Sequence, residues 1–457
     1  MKRNKRLWIL LAACAAVFAV TFAVSRIQEH VEAIRASGET VLSVPPESVT
    51  ALSWKTEKGS FTFHREETWS YDGDGSFPVS EEAISARLEP FENLAAAFVI
   101  DEPESLADYG LKNPECTVTL ETEDKTWEIR LGATSAIDEQ RYFSIGDGKV
   151  YLALTDMRAL YDAELPDLIQ NDTVPALDNV TEIRISGRES FTVTRREDGP
   201  SFRETDVYYG EKDGRETPMD TELVENFLSD IRYLSLENYV TYNAGEEELA
   251  ACGLIHPAVT AEITFSPEEG QTETFTVSVS RAPAAKEDGE EPAYFARVGR
   301  SGILYRISSG YGLRLTETGF DKLRHQEVFP ADFSGIDRLD ITLDGIDAVL
   351  SCLTEDGETE TDPEGNRVFR FRGEAVDTAA LESALSALTA ESFTSESPAG
   401  KEELRFTATL TSGQSVTLTL YRRDGTTCLA AIDGTPLSLV PRPAAIALVE
   451  AIYAIVL

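Results

Sequence analysis

Two short stretches of the sequence are near copies of each other. Residues 106–114 read LADYGLKNP and residues 249–257 read LAACGLIHP, with five identities at one constant offset (249 − 106 = 143). In each copy the glycine can adopt a positive φ and end a short helical turn, the next leucine is expected to point inward, and the proline prevents the helix from resuming. A motif that recurs at a distance is typical of a chain built from repeated modules.

Strand and helix patterns recur around the two copies and once more towards the C-terminus. The three predicted strand pairs are residues 49–54 with 61–63, 180–185 with 191–193, and 336–341 with 348–350. A helix is predicted after each pair, with Ser80, Asp220 and Asp377 as N-caps, and alternating apolar strands follow. This order predicts an α+β fold of repeated modules, each an antiparallel sheet with covering helices, plus one N-terminal transmembrane helix.

The predicted domain boundaries follow these repeats. They are a cytoplasmic stub and transmembrane anchor over 1–28, a stalk over 29–48, and α+β modules over 49–175, 176–330 and 331–457. The third module is expected to be degenerate, because residues 397–400 (SPAG) are all that remains of the glycine turn there.

The N-terminus has the pattern of a membrane anchor. Residues 1–6 include four basic side chains, and residues 7–24 are apolar and uncharged. At about 1.5 Å per residue, such a helix nearly matches a hydrocarbon core about 30 Å thick. Because the basic cluster comes first, we expect the N-terminus to stay cytoplasmic and the body to be extracytoplasmic. Two alternatives stay open: a lipoprotein modified at Cys14 within LAAC, and a signal peptide cleaved near residues 23–25.

The charge of the chain restricts its partners. The sequence has 41 Lys and Arg against 80 Asp and Glu, a formal net charge of −39. Such a field repels phosphate backbones, so nucleic acid is not expected as a partner. The simplest interpretation is a solvated acidic surface that keeps the protein soluble.

Motifs for chemistry are missing from the sequence. It contains no GxSxG, no GxxxxGK[ST] and no GxGxxG, so we predict no catalytic, cofactor-binding or metal-binding residue. Residues 72–76 (DGDGS) are interpreted as a hairpin turn, because the glutamate that would complete a calcium loop is missing. Two sets of residues leave alternatives open: buried free thiols or two disulfides for Cys116, Cys252, Cys352 and Cys428, and core packing or a sugar-stacking platform for Trp54, Trp69 and Trp127.

Several of these features together resemble a known family. Residues 109–111 with Pro114, Gly132, residues 141–143 and residues 150–151 resemble the uncharacterised bacterial domain of unknown function 4340, over roughly residues 49–330. The resemblance implies an envelope protein with one N-terminal anchor or lipid. It also implies genes beside ABC-transporter components of the gliding-motility type. It supplies no catalytic residues, and Cys252 stands where an aromatic residue is expected.

The expected function is therefore that of a non-enzymatic, membrane-anchored extracytoplasmic scaffold or accessory protein. Its expected partners are the membrane, through residues 7–24, and ABC-type transporter subunits. Two alternatives are a binding module for cell-wall glycan or peptide, which would use clefts between modules, and an envelope hydrolase, which would need two acids at a defined separation.

Overall fold

The computed structural model describes residues 38–136, 139–199, 201–283 and 292–457. The predicted anchor over residues 7–24 and the cysteine at position 14 lie outside these ranges. Within them, no helix has both the length and the apolar character of a membrane span.

The described chain consists mostly of three antiparallel sheets of nine strands each, with few helices. The first sheet contains β1 (Glu39–Leu42), β2 (Val49–Thr56), β3 (Gly59–Arg65), β4 (Trp69–Tyr71), β5 (Leu94–Ile100), β6 (Cys116–Thr122), β7 (Thr126–Thr134), β8 (Arg141–Ser144) and β9 (Val150–Ala153). The second contains β10 (Val180–Gly187), β11 (Phe191–Arg195), β12 (Tyr208–Lys212), β13 (Arg215–Pro218), β14 (Tyr239–Thr241), β15 (Val259–Phe265), β16 (Glu273–Arg281), β17 (Tyr294–Val298) and β18 (Leu304–Ile307). The third contains β19 (Ile336–Leu343), β20 (Ile346–Ser351), β21 (Arg370–Phe371), β22 (Glu374–Ala375), β23 (Ser392–Phe393), β24 (Glu402–Leu410), β25 (Ser415–Arg422), β26 (Thr427–Ile432) and β27 (Thr435–Pro441).

The three sheets repeat one strand order. The first runs β1-β5-β9-β8-β7-β6-β2-β3-β4, the second β14-β18-β17-β16-β15-β10-β11-β12-β13, and the third β23-β27-β26-β25-β24-β19-β20-β21-β22. Eight consecutive positions correspond in all three sheets. The first sheet adds β1 at one edge, and the other two add β13 and β22 at the opposite edge. The prediction of repeated sheet modules is therefore confirmed.

A β-bulge recurs at the same place in each sheet. Pairing of β2 with β6, β10 with β15, and β19 with β24 skips the second residue of the first strand, which is Thr50, Thr181 or Asp337. The Thr50 hydroxyl donates to the Glu121 carbonyl at 3.2 Å, and Thr181 donates to Thr264 at 3.3 Å. A bulge inserts one residue and increases the local twist, and here it lies at the equivalent position of all three sheets.

The helices are short and begin close to the predicted caps. The α-helices are α1 (Glu81–Glu92), α2 (Thr221–Arg232), α3 (Glu246–Ala251), α4 (Ser309–Glu317), α5 (Ala379–Ser386) and α6 (Arg442–Val456), and the 3₁₀ turns are Pro46–Ser48, Leu106–Tyr109, Arg158–Tyr161, Leu165–Leu168, Phe320–Lys322 and Phe333–Gly335. Ser80 and Asp220 cap α1 and α2 through their side-chain oxygens, as predicted. Asp377 also accepts a bond, from the Ala379 N–H at 2.9 Å, but the cap position of α5 is Thr378.

Both glycine turns have the predicted geometry. Gly110 and Gly253 each have φ of +72°. The Leu111 N–H donates to the Leu106 carbonyl at 2.9 Å, and the Leu254 N–H donates to Leu249 at 2.8 Å. Both leucines that follow the glycines are buried. Between β23 and β24 of the third sheet, the described chain has no helical turn.

The N-terminal edge of the first sheet differs from the prediction. Residues 39–42, predicted within the stalk 29–48, form strand β1 and pair with β5. Leu42 is the one buried residue of the four in this strand, so the sequence has no alternating apolar pattern there that would predict a strand.

The chain divides into two compact units. Unit 1 contains the described residues up to Thr173 together with Leu236–Gly245 and Gly302–Tyr305, and unit 2 contains Val174–Ser235, Glu246–Ser301 and Arg306–Leu457. The third sheet lies wholly in unit 2 and has its own apolar core, to which β19, β20, β24–β27, helices α5 and α6, and the segment before β19 with Val328 and Phe329 contribute.

Candidate functional site

A cavity of about 210 Å³ opens in unit 2 beside two sheet edges. Thr217 and Pro218 of β13, at the edge of the second sheet, line one side, and Phe393 of β23, at the edge of the third sheet, lines another. Phe202 and Leu437 add apolar wall, so the cavity is mostly hydrophobic. Such a surface favours apolar ligand groups, with the few polar groups deciding their orientation.

The segment between the second and third sheets places two charged residues at this cavity. Arg324 forms a β-bridge with Met219, directly after β13, and Glu327 forms one with Thr389, shortly before β23. The Ala390 N–H also donates to the Gln326 carbonyl at 2.8 Å. Because the connecting backbone pairs with both sheets, Arg324 and the following His325 have fixed positions in the cavity wall.

Arg324 is the most unusual group in the wall. Its guanidinium carbon lies 3.7 Å from the centre of the Phe393 ring. Among the described residues, the one hydrogen bond of its guanidinium runs from Nη1 to Asp321 Oδ1, at 3.2 Å. The Arg324 side chain is only 13% exposed, whereas that of Asp321 is 57% exposed. Burial lowers the pKa of the guanidinium, and Asp321 offsets this only in part. The cation is thus largely removed from water but weakly compensated.

A hydroxyl, a carboxylate and an imidazole also meet at the cavity, but not in the order of a catalytic triad. The Ser201 hydroxyl donates to Asp206 Oδ2 at 2.5 Å, and His325 Nε2 lies 2.8 Å from Asp206 Oδ1. The Arg203 guanidinium donates to His325 Nδ1. This network assigns the proton to Nε2, so the imidazole is donating to Asp206 and accepting from Arg203.

Catalysis by a Ser–His pair needs the imidazole next to the hydroxyl, so that the imidazole can take its proton. Here Asp206 stands between Ser201 and His325, and both of its oxygens are already bonded. The arrangement therefore holds the imidazole away from the Ser201 hydroxyl, with Asp206 bonded to both.

A second hollow of about 580 Å³ adjoins the cavity and shares Thr217, Arg324, Phe393 and Leu437 with it. It follows the outer side of β13, where Arg215 and Glu216 lie. Since β13 is an edge strand, part of its backbone has no neighbouring strand. Together the two spaces form a groove with an apolar end and a polar extension.

The residues discussed in the sequence analysis lie elsewhere. Trp54 and Trp69 are 2% and 5% exposed, so they pack in the core and cannot stack against a sugar. Trp54 stacks on Phe63 with ring centres 5.4 Å apart. Trp127 is partly buried. The four cysteines of the described chain are all free and buried, which confirms the free-thiol interpretation.

The DGDGS segment is a turn, although not a hairpin, because β4 pairs only with β3 and is an edge strand. The Asp74 carboxylate has partners within the protein: Oδ1 accepts from the Ser76 N–H at 2.9 Å, and Oδ2 accepts from the Tyr242 hydroxyl at 2.9 Å. Within the described ranges, no three His, Cys, Asp or Glu side chains are grouped as metal ligands.

Sequence reasoning missed the cavity because its residues are far apart in the chain. Asp206, Arg324 and Phe393 share no local motif, and only the folded edges bring them together. The one available signal was position, because Arg324 and His325 lie just before the predicted module boundary at residue 330.

Part of the chain is similar to a known protein family. Residues 69–257 match the model of a family described as Domain of unknown function (DUF4340). No curated protein matches the chain. The matched segment includes both glycine turns, Gly132 and residues 141–143, which are the features that suggested the family. The resemblance to DUF4340 is thereby confirmed over residues 69–257.

Proposed function

We propose that this protein is a non-enzymatic, membrane-anchored extracytoplasmic scaffold or accessory protein that associates with an ABC-type transporter. The observation that supports a binding role is the cavity in unit 2. Its wall is apolar, its most unusual polar group is the stacked Arg324, and its hydroxyl, carboxylate and imidazole are bonded to one another. That composition suits recognition better than group transfer.

The proposed membrane anchor and its orientation are inferred from the N-terminal sequence. Residues 7–24 supply the apolar length and residues 1–6 the basic charge that keeps the N-terminus cytoplasmic. In the architecture we propose, this helix precedes the sheet modules, and a helix covers one face of each sheet. Ile84, Leu88 and Phe91 on α1 are buried, as a covering helix requires.

The topology has a direct test. In intact spheroplasts, added protease should cut the acidic body, whereas a cytoplasmic marker protein stays whole. A body that is cut only after lysis would show that it is not exported, and the envelope role would then be wrong.

The transporter partner is implied by the family resemblance, and co-purification tests it. A tagged full-length chain, solubilised in mild detergent, should recover ABC-transporter subunits that mass spectrometry identifies. A tagged single-span protein of unrelated sequence, expressed at the same level, is the control. Recovery of the chain alone would count against the transporter role.

The second candidate function is a binding module for cell-wall peptide or glycan, and the groove along β13 and β23 favours it. Retention on isolated wall material, and its loss when wall fragments compete, would support this candidate over the transporter role. The hydrolase alternative has less support at this cavity, because Asp206 stands between the Ser201 hydroxyl and the His325 imidazole.

A further inference from the structure

We propose that the groove in unit 2 binds the carboxyl-terminal residue of a peptide, with the terminal carboxylate on Arg324 and an aliphatic side chain in the cavity. This inference deepens the proposed binding function and rests on it. It concerns the ligand class alone, so it can fail while the accessory role stands.

The carboxylate is assigned from the state of Arg324. A guanidinium whose face is covered by an aromatic ring has its donors free at the edge, in a fork that matches a carboxylate. Asp321 engages Nη1 from the solvent side. No other protein carboxylate in the described chain forms an ion pair with Arg324, so the donors Nε and Nη2 are left for a ligand.

The two acids that line the cavity itself already have partners. Both oxygens of Asp206 are bonded to Ser201 and His325, and Glu327 lies 3.6 Å from Arg203. Asp321 therefore remains as the group that competes with a ligand carboxylate for the guanidinium.

The aliphatic side chain is assigned from the size and lining of the cavity. Its volume of about 210 Å³ lies below the range of about 300–1,000 Å³ that is usual for drug-sized ligands. Phe202, Val328 and Leu437 line it. A single branched side chain suits this space, whereas a sugar ring would leave its hydroxyls without partners on the apolar wall.

The adjoining hollow suggests a peptide in preference to a free acid. It shares Arg324 and Phe393 with the cavity and continues along the outer edge of β13. The Met219 N–H donates to Tyr208 at 2.9 Å, and alternation along an antiparallel strand then directs the backbone of Glu216 away from β12. An extended peptide can pair with such an edge.

The test is calorimetric titration of the full-length chain in mild detergent with three probes. They are the acetylated tripeptide Ala-Ala-Leu with a free carboxylate, the same peptide as its carboxamide, and 4-methylpentanoate. The free-acid peptide should bind at least about tenfold more tightly than the carboxamide, about 1.4 kcal/mol. It should also bind more tightly than 4-methylpentanoate, because only the peptide reaches the β13 edge.

Variants locate the effect. Arg324→Leu should remove the preference for the free acid, and Arg314→Leu, whose guanidinium pairs with Asp230 at 2.6 Å outside the cavity, should leave it unchanged. Asp321→Asn keeps Arg324 in place and should strengthen acid binding several-fold by removing the competing charge. The Asp321→Asn variant keeps the test valid if Arg324→Leu fails to fold.

Three results would overturn the proposal: equal binding of acid and carboxamide by the wild-type chain, weaker acid binding by Asp321→Asn, or equal affinity for 4-methylpentanoate and the peptide. Displacement of the peptide by neutral chitotriose would likewise overturn it, in favour of a glycan. If transporter subunits still co-purify in any of these cases, only the ligand assignment fails.

Discussion

The turn at residues 106–114 and the turn at residues 249–257 have one backbone conformation but different surroundings. Around the first, Arg141 donates to the Gly132 carbonyl at 2.5 Å, to Glu115 at 2.8 Å and to Asp156 at 2.9 Å. The Tyr109 ring packs edge-on against Tyr142, with centres 4.9 Å apart.

Around the second turn, the corresponding residues are smaller. Position 293 is alanine where the first module has Arg141, and the buried Cys252 stands in the place of Tyr109. Yet Gly253 has the same φ as Gly110, and both turns close with the same type of backbone hydrogen bond. The glycine and the backbone hydrogen bond therefore determine the conformation of the turn, whereas the side chains that pack around it can differ.

The largest expected effect comes from replacing either glycine. A Cβ at Gly110 would lie 2.6 Å from the Ala133 nitrogen, and one at Gly253 would lie 2.6 Å from the Arg281 carbonyl oxygen. Both contacts are with backbone, and φ is positive at both positions, so Gly110→Ala and Gly253→Ala should each destabilise the fold by about 2–4 kcal/mol. Chemical denaturation measures this.

The controls are Gly75→Ala and Gly335→Ala, where a Cβ meets nothing within 4 Å and φ is not positive. These should change stability by less than about 0.5 kcal/mol. If one turn tolerated alanine and the other did not, the two turns would not share the same determinant.

The second-largest expected effect comes from replacing Arg141, which is present in the first module and absent from the second. Arg141→Met should destabilise by about 1–3 kcal/mol, because the buried Gly132 carbonyl loses its donor. The Arg141 side chain is 10% exposed, so water cannot fully replace the lost guanidinium as a hydrogen-bond donor. Arg130→Met is the control: its pair with Glu128 is 43% and 51% exposed, and its loss should cost less than about 0.5 kcal/mol. If the two variants lost the same stability, the hydrogen bonds of Arg141 would not stabilise the first turn more than a surface ion pair does.

The local features could be predicted from the sequence, and the long-range ones could not. Strand pairs, caps at Ser80 and Asp220, and both glycine turns follow from residue types within a few positions of each other. Strand β1 lacked such a pattern, and its pairing with β5 spans about fifty residues.

The contact of Arg324 with Phe393 depends on where two sheet edges meet, which no local periodicity encodes. The bulges at Thr50, Thr181 and Asp337 were not predicted either, because a skipped residue is visible only in the register of the paired strands.

The third effect tests the aromatic position of the turn. Tyr109→Cys copies the second turn into the first and should cost about 1 kcal/mol, the value of the Tyr109–Tyr142 ring contact. The reverse change, Cys252→Tyr, puts a large ring where the side chain is 4% exposed, and should also destabilise, through overpacking. Tyr233→Cys, at a position 71% exposed, is the control and should be neutral. A stable Cys252→Tyr variant would mean that the second turn has room for the aromatic residue.

The smallest expected effect concerns rate and leaves stability unchanged. Burial raises the pKa of Cys116, which begins β6 just after the first turn, to about 11, and it also raises the pKa of Cys252. The thiolate is the reactive form, so below the raised pKa its population and the modification rate should rise about tenfold per pH unit. At pH 8, both thiols of the folded chain should react far more slowly than in urea, as mass spectrometry of labelled peptides can measure. Fast labelling of Cys252 alone at pH 8 would show that the second turn opens to solvent where the first does not. The smaller side chains around the second turn would then protect the Cys252 thiol less well from solvent, although the backbone conformation of the two turns is the same.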